Sequence, residues 1–81
     1  MKSAKLLEAV ELALGGDWQG AHLMAQAHEE DPIANWIHAV VHRMEGDLAN
    51  ARYWYRRCDR QLHDDVSTET ELREIQAALS G

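Results

Sequence analysis

Apolar residues recur along this chain at helical spacing in five stretches. Leu6, Leu7, Val10 and Leu14 predict a first amphipathic helix over about 3–14. Trp18, Ala21, Ala25 and His28, flanked by Met24, predict a second over 18–30. Ile33, Trp36, Ile37, Val40, Val41 and Met44 predict a third over 32–45. Leu48, Ala51, Tyr55, Cys58 and Leu62, with Trp54 on the border, predict a fourth over 48–62. Leu72, Ile75 and Leu79 give a thinner face to a fifth, over 68–79. No stretch alternates strictly with period two, so strands are not expected.

The residues between these stretches have helix-end chemistry. Gly15-Gly16 and Gly46 supply the left-handed backbone that closes a helix. Asp17, Asp31 and Asp47 are natural N-caps, and Pro32 fits a first turn. His63-Asp64-Asp65 breaks the fourth pattern, and Thr68 followed by Glu71 reads as a capping box. The expectation is a single all-helical domain over 1–81, with one hairpin at about 3–30, a second at about 32–62 and a capping helix at about 68–79.

A shift of thirty residues superposes the two hairpins. Leu6-Leu7-Val10-Leu14 lands on Trp36-Ile37-Val40-Met44, Ala9 on Ala39, Gly16-Asp17 on Gly46-Asp47 and Ala21 on Ala51. On these residues the chain resembles the tetratricopeptide repeat family. Gly16-Asp17-Trp18…Ala21…Asp31-Pro32 is similar to the second half of such a repeat. Ala39…Gly46-Asp47-Leu48…Ala51…Tyr55…Cys58 is similar to most of the next. The period of thirty departs from the family's thirty-four, and His38 and His42 stand where the family has apolar residues. The resemblance implies a right-handed stack of two antiparallel hairpins with a terminal capping helix, and protein or peptide binding on a concave surface. Trp36-Ile37-His38-Ala39 with Asn50-Ala51-Arg52-Tyr53-Trp54-Tyr55 also resembles a run in small uncharacterised bacterial proteins, which brings no activity with it.

Composition agrees with helices and narrows the partners. Ala and Leu dominate, Phe is absent and Pro occurs once. A formal net charge of −6 argues against general nucleic-acid binding. Cys58 is the sole cysteine, so no internal disulfide can form, which is compatible with a reducing cytoplasm. The first helix carries Glu8 and Glu11 and lacks the unbroken apolar core of a signal peptide. No apolar run approaches the length of about 18 residues that a membrane span requires.

Against this acidic background, Arg43, Arg52, Arg56, Arg57 and Arg60 are concentrated in one part of a chain holding eight Lys and Arg in all. Arg52, Arg56 and Arg60 step every fourth residue along the predicted fourth helix, with Tyr53 and Trp54 beside them. Guanidinium forks suit carboxylates and phosphates, so this basic aromatic face is the candidate binding site for a protein or acidic peptide. The plain alternative is a solvated face paired with Glu29, Glu30, Asp59, Asp64 and Asp65. His38 and His42 share a helical face with Asn35 and Glu45. Two imidazoles and a carboxylate can ligate zinc or another divalent metal, or bind an anion; as a purely structural feature the same residues form a hydrogen-bonded polar seam. Trp36 and Tyr55 lie centrally in apolar arcs and are expected in the core. Cys58 lies on a buried stripe and is expected to be inert despite nearby His63. No phosphate loop, paired-carboxylate site or zinc-ribbon spacing is present. The expected function is therefore a non-enzymatic protein- or peptide-binding module without a cofactor, with a metal- or anion-binding protein using His38 and His42 as the first alternative and a small enzyme as the second. Two hairpins leave faces open, so either the fifth helix or a second copy, as a homodimer, completes the core.

Overall fold

Three chain reversals with the same local chemistry organise the fold. The computed structural model describes residues 2–80. It contains α1 (Lys2–Leu14), α2 (Trp18–Gln26), α3 (Pro32–Met44), α4 (Leu48–Arg57) and α5 (Thr68–Ser80), with no strand among the described residues. At the end of α1, Gly16 takes φ 94° and the Asp17 N–H donates to Leu12 O at 2.8 Å. At the end of α3, Gly46 takes φ 85° and the Asp47 N–H donates to His42 O at 2.9 Å. Nothing lies within 4 Å of a Cβ built on either glycine, so backbone conformation rather than space demands glycine there. Each aspartate then caps the next helix: Asp17 accepts from the Gly20 N–H and Asp47 from the Asn50 N–H. The thirty-residue shift thus relates two corners that make the same bonds.

The third reversal was not visible in the apolar pattern. The fourth helix was expected to run to Leu62, but α4 stops at Arg57. Asp59 takes φ 59°, the Asp59 N–H donates to Arg56 O, and the Arg60 N–H donates to Tyr55 O at 2.8 Å. This is the closure seen at the other two corners, with aspartate standing where they have glycine, a substitution the left-handed region tolerates for Asp. α2 also ends early, at Gln26 rather than Glu30. The His28 N–H turns back to Ala25 O, tightening the chain before Asp31 extends into Pro32.

α3 is central. It packs against α1, α2, α4 and α5, while α1 and α2 pack on each other. Every residue from Ala34 to His42 is consequently buried, including Asn35, His38 and His42. Alanines permit these close approaches: Ala9, Ala21, Ala25, Ala34, Ala39 and Ala51 are fully buried. Leu6, Val10, Ile37, Val40, Val41, Tyr55, Leu72 and Ile75 fill the remaining core.

α5 lies across α1 and α3, anchored by a charge. The Glu71 carboxylate accepts from Trp36 Nε1, from Arg43 Nη1 and from the Tyr55 hydroxyl, each at 2.7 Å. Arg43 also donates through Nη2 to Val66 O. Glu71 therefore serves no capping box. Ser67 is the cap, its hydroxyl accepting from the Thr70 N–H, and the Glu71 side chain turns inward. The Glu71 and Arg43 side chains are only 11% and 9% exposed. Burial opposes the charge on Arg43, but the bonds to Tyr55 and Glu71 more than offset it and hold its pKa above the ordinary value. Removing one member of such a pair costs about 3–5 kcal/mol, because the other is left charged and unpaired.

The alanine contacts carry a direct expectation. Ala21→Leu and Ala51→Leu should each destabilise the fold by about 1–3 kcal/mol, since each forces a large side chain into a filled helix crossing. Thermal melts of the two variants check this, and parent-like melting of both would mean that these residues are not packing contacts.

Candidate functional site

The packing of α2 and α4 on either side of α3 builds a cluster of histidine and tryptophan rings. His38 and His42 lie one turn apart on α3, with centroids 4.9 Å apart and planes inclined by 20°. α2 adds His22, edge-on to both at 4.5 and 5.3 Å. α4 adds Trp54, which stacks on His38 at 3.9 Å and 17°. The Arg57 guanidinium lies 4.8 Å from the Trp54 ring centroid. Of the polar ridge expected on the third helix, Asn35, His38 and His42 are buried between helices, while Glu45 is exposed. Asn35 donates to Glu29 O, and Glu45 makes a 2.6 Å hydrogen bond with His42 Nδ1.

His22 was absent from the sequence-based candidates. Its signal was indirect: it adjoins Ala21, and once Ala21 meets a neighbouring helix the next position flanks that interface. One ring atom from each of His22, His38 and His42 falls within 4.8 Å of the others. A second group, His42, Glu45 and Asp47, meets the same limit. There, however, Asp47 is occupied by Asn50, whose backbone and side-chain N–H groups it accepts; the same bonds lower its pKa. His38 Nδ1 is buried with no hydrogen-bond partner. A groove of about 390 Å³ lined by Trp18, Gln19, His22, Leu23, His42 and Glu45 reaches the cluster.

The basic aromatic face divides in two. Arg43, Trp54 and Arg57 turn to partners within the chain. Arg43 is held by Glu71, Trp54 covers His38, and Arg57 lies over Trp54 and 3.6 Å from Glu29. Tyr53 is 47% exposed and meets Trp54 edge-on. Arg52, Arg56 and Arg60 remain together. Although Arg60 has left the helix, it lines with Arg52, Arg56, Tyr55, Gln61 and Leu62 a groove of about 310 Å³. The Arg60 guanidinium sits 3.4 Å from the Trp36 ring centroid, a cation–π contact that fixes one wall. Arg52 and Arg56 are exposed and form no ion pair among the described residues.

Cys58 donates its thiol to the carbonyls of Trp54 and Tyr55, and burial pushes its pKa up. Both effects oppose thiolate formation. Among the described residues, no helix is long and apolar enough to cross a membrane. No family model, curated protein or solved structure matches the chain.

Burial, then the neighbouring His22, His42 and Arg57, push His38 from 6.5 down to about 3. The unfolded chain takes up a proton at this residue below about pH 6.5, and the folded chain does not until about pH 3. The stability tied to neutral His38 is therefore complete above the upper value and declines as pH falls toward the lower one. Denaturant unfolding at about pH 7 and about pH 5.5 should show a loss of stability that is smaller in His38→Gln, which has no such proton to bind. Equal losses in parent and variant would contradict this.

Proposed function

We propose that this chain is a non-enzymatic interaction module that binds an acidic segment of a partner protein along the exposed side of α4. The observation that carries the proposal is the groove walled by Arg52, Arg56 and Arg60 in a chain of net charge −6. All three arginines are exposed, and Arg60 is also held in place over Trp36. Planar guanidinium groups around one groove suit carboxylates spaced along a peptide, and they suit phosphates equally.

The repeated corners and buried alanines support the resemblance to tetratricopeptide hairpins, stacked antiparallel and right-handed. In that family a peptide would lie on a concave inner surface. Here α5 packs against both α1 and α3, which favours the outer side of α4 instead. Cytoplasmic residence fits the lone Cys58, a free thiol that donates to the Trp54 carbonyl.

The test is fluorescence anisotropy with a labelled oligoglutamate peptide at low and high salt. A charge-assisted hydrogen bond contributes about 1.5–3 kcal/mol. Arg52→Gln with Arg56→Gln should therefore weaken binding at least about tenfold while leaving the circular dichroism spectrum unchanged. Arg52→Lys with Arg56→Lys should recover only part of the affinity, since lysine keeps the charge and loses the fork. Unchanged binding by the double Gln variant would exclude this groove.

A further inference from the structure

We propose that His22, His38 and His42 form a site for one divalent transition-metal ion, zinc above all, with a fourth coordination position open to the groove. The site is separate from the arginine groove and does not depend on its having a ligand.

The donor set has the composition of a three-histidine zinc site. One ligand nitrogen from each ring already lies within 4.8 Å of the other two. Zinc–nitrogen bonds of about 2.0–2.1 Å at tetrahedral angles require nitrogens about 3.4 Å apart. The closure needed is therefore at most of the order of an ångström, by rotation about the side-chain bonds of the half-buried His22 and of His42 toward the His38 ring. His38 and His42 are 3% and 9% exposed, and their shared helix fixes the separation of their backbones.

The surroundings favour ligation. His42 Nδ1 is paired with the Glu45 carboxylate at 2.6 Å. With the proton on that nitrogen, Nε2 keeps its lone pair; a carboxylate behind a ligating imidazole fixes tautomer and orientation in this way. His38 has a buried Nδ1 with no partner, whereas buried polar atoms ordinarily find one. Its ring is also clamped in orientation by Trp54. The groove lined by Trp18, Gln19, His22, Leu23, His42 and Glu45 gives an ion a way in and leaves room for a water or carboxylate as fourth ligand. The competing set of His42, Glu45 and Asp47 would have to break the Asp47 cap on α4.

The test uses untagged protein stripped with a chelator and then titrated with zinc chloride in a calorimeter. One equivalent should bind, and it should raise the melting temperature. Cobalt(II) should bind at the same stoichiometry and give the intense visible bands of a four-coordinate site. His22→Asn, at a half-buried position, should keep the fold and lower zinc affinity at least tenfold; His38→Gln and His42→Gln should do the same where they fold. Glu45→Gln should weaken binding by about tenfold, as expected when a carboxylate behind a ligand is lost. His28→Asn, His63→Asn and Cys58→Ser should leave binding unchanged. Absence of a one-equivalent event, or the same zinc affinity in parent and His22→Asn, would overturn the proposal.

Discussion

The carboxylate of Glu71 ties the last helix to the rest of the molecule. Its three donors come from α3 and α4, while Glu71 itself is on α5. An apolar stripe can slide on another apolar stripe with little change in energy. A buried carboxylate that must meet an indole N–H, a guanidinium and a phenol has few alternative positions. Replacing such a cluster by apolar residues often costs little stability, whereas breaking it costs much. The role of Glu71 is therefore best understood as fixing where α5 sits. Burial first, and then the bond to Glu71, raise the Tyr55 pKa, so this phenol stays a donor.

With α5 across α1 and α3, two differently furnished sides of α3 remain. One meets the Arg43–Glu71 ion pair and the other carries the histidine cluster. Each has a tryptophan with an arginine against it: Arg60 over Trp36 near Glu71, and Arg57 over Trp54 near His38. Both arginines keep their charge at the surface while covering an aromatic face, which limits water access to the polar groups beneath. Arg52 and Arg56 have no such task, and this distinguishes them as candidates for recognition from the arginines that hold the molecule together.

Much of the fold was legible where the governing chemistry is local. The two Gly-Asp corners, the Asp-Pro start of α3 and the small residues at Ala21 and Ala51 depend on backbone geometry and side-chain size, which a sequence displays directly. The ends of α2 and α4 were less legible. At Asp59 a residue other than glycine takes the left-handed turn, and the apolar spacing continues beyond it to Leu62. Glu71 reads as part of a cap because its spacing from Thr68 matches one, while its partners Trp36, Arg43 and Tyr55 are distant in sequence. His38 and His42 were visible as a pair on one helical face. Their burial and the contribution of His22 required knowing that α2 and α4 flank α3. The arginine face was likewise a pattern along an extended fourth helix, and the turn at Asp59 redistributes its members.

The central claim is that the charge on Glu71 docks α5, and native-state hydrogen exchange tests it directly. In the parent protein the amides of Leu72 and Ile75 should exchange only through global unfolding. In Glu71→Gln, which keeps the size of the side chain and removes its charge, these amides should exchange through local opening of α5, while the amides of Val40 and Val41 in α3 keep global protection. Equal protection of α5 and α3 in the variant would contradict the claim and assign the docking to apolar packing alone.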